Sequence, residues 1–473
     1  MKRAHASLIL LSLLLAAGAG CVRYTPRPVT AAAVLDDFEA RRLNSPEFVA
    51  FLKMNADRDW PPAAWDLTAL TLAAFYYHPD LDVARAQWAT AQAGRITAGE
   101  RPNPTGSILM GYNSTSPTSE VTPWIPEAAL EIPIETAGKR GYRIAQAKNL
   151  SEAARLNILS AAWEVRSRLR QAYLELYSAR ETEALLGRLR EAQAENVRIL
   201  EAQLAIGEAS PSDVTQARMA LASSRLAALD AAQQSAQARV KLADAIGVPA
   251  AALDGAPLSF DSLLRPAADL PAVEIRRRAL VNRADILSAL AEYAAEDSAL
   301  RLEIAKQYPD LSLGPGFQLD QTDAKWSLGL SLVLPLLNRN KGPIAEAEAK
   351  RAEAAARFQA LQAKVLGEIE SAAAAARLAG EKAKAADDLW RNLQKSEAST
   401  AARYQLGEIS KLELIGLRIE LAAGELARLE ARIKARQAAG ELEDAVQSPL
   451  DGDGWVLKTP DRPAGPVKER KDE

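Results

Sequence analysis

Two uninterrupted helical stretches constrain the fold of this chain more than any other feature. The first runs from about Gly141 to Ile206 without a proline, and the second from about Pro343 to Leu406. A helix of about 65 residues would extend roughly 100 Å. Its larger apolar residues recur every three or four positions, which predicts one apolar stripe flanked by alanines that let neighbouring helices approach closely. Such a helix needs partner helices along its whole length, and a compact globular domain does not supply them.

The chain also contains an internal repeat, which indicates that its two halves share one plan. Asp80 recurs as Asp285, 205 positions later, and Leu204–Ser210 recurs as Tyr404–Ser410 at an offset of 200. Each half is predicted to contain a helix, a β-hairpin, a very long helix, a tight turn and a further helix. Besides the two long helices, the predicted helices include Leu67–Gly99, Ala272–Gln307 and Lys411–Val446.

Two pairs of short segments have the alternation of β-strands. In the second half, Leu311–Leu319 and Trp326–Leu334 alternate large apolar residues with small or polar ones, so each strand should have one apolar face. The stretches 108–112 and 124–134 form a weaker copy. The lengths suit tilted transmembrane strands, but four strands cannot close a barrel and lipid does not tolerate open edges. We therefore expect several chains to share one barrel. The alternative, a soluble sheet packed on a core, would need β material that the rest of the sequence lacks.

The N-terminus reads as a secretory signal. Lys2 and Arg3 precede the apolar stretch Leu8–Ala17, which is too short to span a bilayer and is followed by small residues. Residues 18–21, Gly-Ala-Gly-Cys, resemble a bacterial lipobox, in which the cysteine becomes the lipidated (palmitate-carrying) N-terminus. Because Cys21 is the only cysteine of the chain, we predict lipidation there. An ordinary signal peptidase site beside a chance cysteine is the alternative.

The composition argues against several functional classes. With 58 basic and 61 acidic residues, the net charge is −3, and no basic surface is available for nucleic acid. One cysteine and two histidines, His5 and His78, are too few ligands for a zinc site. The sequence has no phosphate-binding glycine-rich loop and no nucleophile elbow. We expect no enzymatic activity, no cofactor and no metal site.

The whole plan resembles the TolC-like outer-membrane factor family over roughly Ala63–Val446. The segment Pro133–Arg140, with Arg143 just beyond it, is most similar to the heavy-metal cation efflux branch. The resemblance implies a homotrimer in which three sets of four strands form one twelve-stranded barrel in outer-membrane lipid, continued by a helical tunnel through the periplasm. It also implies a passive exit duct of a tripartite efflux system, served by an inner-membrane transporter and a periplasmic adaptor.

The fold class expected is mainly α with a small transmembrane β part and an internal two-fold repeat. The predicted segments are a lipoprotein signal peptide (1–20), an N-terminal extension (21–64), a first repeat (65–246) with a hairpin at 105–134 and a tip turn at 206–211, an equatorial linker (247–271), a second repeat (272–447) with a hairpin at 311–334 and a tip turn at 406–411, and a polar tail (448–473).

The two tip turns hold the main candidate site residues. Gly207 and Gly407 can take the left-handed conformation that ends a helix. Ser210 and Ser410 resemble the N-caps of the helices that follow, with Asp213 and Glu413 at the capping-box position.

The resemblance assigns a second role to the same turns. It aligns Asp213 and Glu413 with positions that the family uses for acidic rings at the periplasmic entrance, and Tyr404 with a gating tyrosine. Three copies of a carboxylate facing a narrow tunnel would favour cations. Ile409 stands where the best-known members carry a gating arginine, and Gly416 where they carry an inner aspartate ring, so the lock is expected to be weaker or built differently.

The remaining candidates belong to the predicted hairpins and the segments next to them. Tyr112, Trp124 and Trp326 would form an aromatic girdle or pack on neighbouring strands. Lys139 and Arg140, at a strand-to-helix junction, are predicted as membrane-interface anchors, with a pore-lining position as the alternative. His78, before Pro79, is predicted to start a helix.

Two other classes of protein remain as alternatives. A periplasmic adaptor lipoprotein would need β-rich domains that this sequence lacks. A structural coiled-coil lipoprotein would have no use for two hairpins of bilayer-spanning length.

Overall fold

The computed structural model describes residues 24–55, 62–114, 122–264, 272–320 and 323–450. These residues form two compact units, one ending at Arg42 and the other beginning at Leu43. In the first unit, helix α1 (Ala31–Ala40) is capped by Thr30, whose hydroxyl accepts a hydrogen bond from the Ala33 amide at 3.3 Å. All other elements belong to the second unit, and Cys21 lies outside the described residues.

The second unit is mainly helical, and its two halves repeat one order of elements. The first half contains α2 (Pro46–Asn55), α3 (Leu67–Tyr77), α4 (Pro79–Gly99), β1 (Thr105–Tyr112), β2 (Trp124–Ile134), α5 (Lys139–Ala205) and α6 (Pro211–Ile246). Short 3-10 turns at Ala250–Leu253 and Asp261–Leu264 follow. The second half contains α7 (Ala272–Asn282), α8 (Ala284–Ala305), β3 (Leu311–Asp320), β4 (Asp323–Leu332), α9 (Lys341–Gln405) and α10 (Lys411–Val446).

The prediction of one continuous helix before each hairpin is wrong in both halves. The first is interrupted at His78, where Pro79 disfavours helical backbone in the residue before it. His78 caps α4, as predicted for a helix-start residue, because its Nδ1 accepts a hydrogen bond from the Asp80 amide at 3.2 Å. The second is interrupted at Arg283, 205 positions later. There no proline is needed, because the guanidinium binds Asp285 at 2.7 Å and the Ala445 carbonyl at 2.6 Å.

The four strands form one antiparallel sheet in the order β1-β2-β3-β4. The register pairs Tyr112 with Trp124 and Phe317 with Trp326, so the alternating apolar residues of all four strands share one face. The sequence predicts that the fourth strand begins at Trp326, but β4 begins at Asp323. The backbone pairing with β3 extends to the turn of the hairpin, where Asp320 pairs with Asp323. Within the described residues the sheet stays open, since β1 and β4 each have a strand neighbour on one side alone.

The largest buried cluster lies where α3, α5 and α6 meet. It contains Leu70, Leu169, Tyr173, Leu242 and Ile246, and fully burying one such side chain contributes roughly 1.5–3 kcal/mol. The beginning of the linker joins this cluster through Val248 and Leu253. The backbone fits there because Gly247 adopts a φ of 85° and a Cβ at that position would lie 2.8 Å from the Tyr77 carbonyl oxygen.

The long helices provide each other with partners. Helix α5 packs against α4, α6, α8 and α10, whereas α9 packs against α8 and α10. The two repeats are joined through α5, which packs against α8 and, less extensively, against α10 of the second repeat. Among the described helices, none has a stretch long and apolar enough to cross a membrane.

Candidate functional site at the helical tips

The first tip turn closes α5 and opens α6 within five residues. Gly207 adopts a φ of 80°, and the amide of Glu208 donates back to the Gln203 carbonyl at 2.8 Å. Ser210 then caps α6: its hydroxyl accepts from the Asp213 amide at 3.2 Å, while the Asp213 carboxylate accepts from the Ser210 amide at 3.1 Å. The predicted capping box is therefore confirmed, and these hydrogen bonds from Ser210 hold the pKa of Asp213 below its ordinary value.

The second tip turn has the same backbone but only half of the capping box. Gly407 adopts a φ of 77°, and the Ser410 hydroxyl accepts from the Glu413 amide at 3.2 Å. Among the hydrogen bonds of the described residues, the Glu413 carboxylate makes no return bond to the Ser410 amide. The two equivalent carboxylates thus differ, because capping engages one oxygen of Asp213 and leaves the Glu413 carboxylate pointing into solvent.

Both turns present a large apolar side chain just before the glycine. Ile206 is 70% exposed and Leu406 is 75% exposed. Tyr404, which precedes Leu406 by two residues, is 37% exposed. A single exposed apolar residue is ordinary on a protein surface. The same exposure at equivalent positions of two repeats indicates a contact surface. Neither residue is among the predicted site residues, although the apolar residue directly before each turn glycine is visible in the sequence.

The tips of the two repeats are tied together by charged groups. Lys411, at the start of α10, places its Nζ 2.5 Å from Glu195 Oε1 on α5. Arg198 donates to the same carboxylate at 2.6 Å. The hydrogen bonds from Arg198, which has the larger effect, and from Lys411 lower the pKa of Glu195 to about 2. Further along the same pair of helices, Arg188 approaches Glu425 at 3.4 Å.

The strand-to-helix junction places Lys139 in a buried ion pair. Its Nζ donates to Asp310 Oδ1 and to the Tyr308 carbonyl, both at 2.7 Å. The ammonium links the two β-hairpins, and the membrane-interface role of Lys139 and Arg140 stays a prediction. Arg140 likewise donates to the Gly99 carbonyl at 2.7 Å. Arg143, next to them, forms a bidentate pair with Glu135.

The predicted aromatic residues all lie on the apolar face of the sheet and are exposed. The rings of Tyr112 and Trp124 stand 5.0 Å apart in an edge-on pair, and those of Phe317 and Trp326 stand 4.8 Å apart. The cross-strand packing is therefore present. The girdle role of Tyr112, Trp124 and Trp326 stays a prediction.

Comparisons with known proteins agree with this architecture. The family model "Outer membrane efflux protein" matches residues 74–248 and 275–446. The chain is 26% identical over 277 residues to the cobalt-zinc-cadmium resistance protein CzcC of Cupriavidus metallidurans, covering 58% of this chain and 63% of that protein. It is also 26% identical over 431 residues to the pyoverdine export outer membrane protein OpmQ of Pseudomonas aeruginosa, covering 84% and 88%. The chain thus spans just under two thirds of the length of CzcC.

The fold is also that of a solved outer membrane protein. The crystal structure of the outer membrane protein VceC from Vibrio cholerae superposes with a TM-score of 0.66 at 19% identity, covering 81% of this chain and 97% of that one. The two matched stretches of the family model comprise well over half of the sequence and coincide with the two structural repeats. The chain therefore belongs to the outer membrane efflux protein family.

Proposed function

We propose that three copies of this chain form the exit duct of a tripartite efflux system in the outer membrane. The open sheet is the observation that carries the proposal. One of its faces is apolar along all four strands, exposed on β1 and β4 and half-buried on β3, and the outer edges of β1 and β4 have no strand partner among the described residues. Since lipid does not tolerate unpaired backbone groups, β4 of one copy would pair with β1 of the next, and twelve strands would close the barrel.

The long helices would then continue the duct into the periplasm. An adaptor protein would dock on the tips, and an inner-membrane transporter would supply the energy, so the duct itself would be passive. The exposed Ile206 and Leu406 support a docking role for the tips. Lipidation of Cys21 would add an anchor in the same membrane.

Cations of small size are the cargo class that the tip favours. The proposal rests on Glu413, whose carboxylate is exposed and is not engaged by the capping box. Three such carboxylates around a narrow entrance would attract cations and repel anions. The relatives' names give different cargoes, metal ions for CzcC and pyoverdine for OpmQ, so the preference is assigned here from the tip charge.

Single-channel recording in planar bilayers tests both levels of the proposal. Purified trimers should insert and give discrete conductance steps with a preference for cations, and Glu413→Gln should lower that preference. Glu408→Gln is the matched control, because Glu408 is exposed on the same turn but paired with Arg403 at 3.3 Å. Inserted trimers without conductance would contradict the duct. Conductance with unchanged selectivity in Glu413→Gln would leave Glu413 as a purely structural residue.

A further inference from the structure

The two repeats can be compared position by position along the long helices. From the tips backwards, α5 and α9 keep the offset of 200, and α6 and α10 are both 36 residues long and start 200 positions apart. Residues that pack the two helices of each repeat together, α5 with α6 and α9 with α10, are buried alike at this offset. Examples are Val165 with Val365, Leu169 with Ile369, Ala172 with Ala372, and Leu242 with Leu442.

Burial differs on the faces through which the repeats touch each other. Trp163, Arg170 and Leu174 on α5 are buried where that helix runs beside α10, but their equivalents on α9 are exposed. Ile415, Ile433 and Gly440 on α10 are buried, and their equivalents on α6 are exposed. Helices α9 and α6 therefore each carry an uncovered copy of a surface that α5 and α10 bury against each other.

The uncovered surface of α6 is apolar. Met219, Leu226, Leu229 and Val240 are between 57% and 68% exposed, and their spacing puts them on one side of the helix. We call these four residues the α6 stripe. Within the chain, whose helices α6 and α9 are described in full, these two helices have no packing interface with each other.

The uncovered surface of α9 carries small residues and two leucines beside the exposed Glu370. Its uncharged part, which we call the α9 face, consists of Ala363, Gly367, Ala374, Leu378 and Leu389. In the contact within the chain, the large side chain of Arg170 lies over Gly440. At the equivalent positions Val240 on α6 replaces the glycine, and Glu370 on α9, which is exposed and pairs with Arg276 at 2.8 Å, replaces the arginine. The α9 face beside Glu370 supplies alanines and a glycine to the stripe.

The signs of one ion pair are exchanged between the two repeats. Arg188 on α5 pairs with Glu425 on α10 at 3.4 Å. Their equivalents are Asp388 on α9 and Arg225 on α6. In the described residues, Arg225 has no ion pair, and Asp388 pairs with Arg391 of its own helix. The reversed signs keep the match between α9 and α6 attractive.

The exchange also discriminates against wrong pairings. Through these faces, Arg188 opposite Arg225 and Asp388 opposite Glu425 would each bring like charges together. Repulsion of this kind directs association to one partner surface. The order of helices around an assembly would then be fixed by sequence as well as by the length of the connections.

We propose that the α9 face of one copy packs against the α6 stripe of the next copy, with Asp388 opposite Arg225. The partner is a second copy of this chain, identified by the reversed charges and by the exposed apolar stripe that the α9 face would cover. The inference rests on the trimer proposed above and adds the surfaces and the ion pair through which neighbouring copies meet.

Cysteine cross-linking tests the pairing directly. The full-length Arg225→Cys/Asp388→Cys variant, extracted from membranes, is treated with a short bis-maleimide and separated in denaturing gels. We expect covalent products of two and three chains and no larger ones, because each copy offers one cysteine to each neighbour in a closed ring. Arg188→Cys/Glu425→Cys is the matched control, and it should link within one chain. The single variants and the wild type, which retain Cys21, should stay single chains.

Three results would overturn the inference. In the first, light scattering finds three chains per particle but the Arg225→Cys/Asp388→Cys variant gives only single chains after cross-linking. The trimer would then use other surfaces, and the proposed duct would stand. Equal products from the single variants would show that the linkage is unspecific. A particle of one chain would overturn the duct together with the inference.

Charge exchange gives a second readout without cysteines. Arg225→Glu and Asp388→Arg should each lower the temperature at which the detergent-solubilised trimer dissociates, and the double variant should restore it. A double variant no better than the two single variants combined would contradict the pairing of these two residues.

Discussion

Substitution of Gly440 by alanine tests the contact that joins the two repeats. Helix α10 contains three glycines whose surroundings differ. A Cβ on Gly440 would lie 1.0 Å from Nη1 and 2.2 Å from Cζ of Arg170. A Cβ on Gly424 would lie 2.5 Å from the end of the Leu393 side chain, and one on Gly416 would meet no atom within 4 Å. The same substitution on one helix therefore probes three environments.

The expected cost at Gly440 follows from the pair that Arg170 makes. Arg170 is buried and its Nη2 lies 2.5 Å from Asp444 Oδ2. Breaking a buried pair costs about 3–5 kcal/mol. The lower end applies because Asp444 keeps hydrogen bonds from Ser167 at 2.6 Å and Trp163 at 3.1 Å. Alanine instead of glycine in a helix returns about 0.5–1 kcal/mol, so Gly440→Ala should destabilise the folded chain by about 2 kcal/mol.

The other two glycines give the controls. Gly416→Ala should stabilise the chain by about 0.5–1 kcal/mol, and Gly424→Ala should be nearly neutral, since Leu393 can turn away at a cost comparable to that gain. Guanidinium unfolding of the detergent-solubilised protein, followed by helical circular dichroism, would rank the three variants. In the Arg170→Met/Gly440→Ala double variant, alanine should cost less than it does beside Arg170. If Gly440→Ala is as stable as Gly416→Ala, the side chain of Arg170 does not lie over Gly440 and the predicted cost is refuted.

Three further outcomes follow from the buried and charged groups. Burial lowers the pKa of His78, so the folded chain should lose stability as the pH falls from about 7.5 to 5.5. The variant His78→Asn keeps a capping oxygen and should lose less stability over this range. Parallel curves of stability against pH for the variant and the wild type would contradict this prediction. Because the pKa of Glu195 is lowered to about 2, its contribution to the stability of the folded chain is complete above its ordinary pKa and disappears as the pH falls towards 2. The difference in melting temperature between the wild type and Glu195→Gln should therefore vanish near pH 2. A difference that stays constant with pH would refute a stabilising role for the Glu195 carboxylate. Lys139→Met should cost about 1–3 kcal/mol by removing the ammonium partner of Asp310 and leaving it with the Thr136 amide as donor. The exposed Lys148→Met should leave the melting temperature unchanged.

The architecture could be read from the sequence because it rests on periodicity. Apolar residues every three or four positions predict α5 and α9, and alternation predicts β3, so the bounds of Lys411–Val446 and of the strand that begins at Leu311 agree with the structure. The capping box at Ser210 was readable for the same reason, since its partners are three residues apart. Local spacing carries local structure.

What the sequence could not give are contacts between residues far apart in the chain. Arg170 lies over Gly440, 270 positions away, and nothing in either neighbourhood signals that a helix glycine makes room for a guanidinium. Lys139 was predicted at the membrane interface because its position at a strand end is typical of anchors. Its burial depends on Asp310, which arrives from the other repeat. The break at Arg283 likewise depends on the Ala445 carbonyl of a distant helix.

The number of chains per particle tests the central claim most directly. The mature protein would be extracted from membranes in detergent and its mass determined by light scattering, with the detergent contribution subtracted. We expect three chains per particle, because the four strands of one chain leave two open edges and three copies close them. A stable particle of one chain would contradict the shared barrel and, with it, the exit duct.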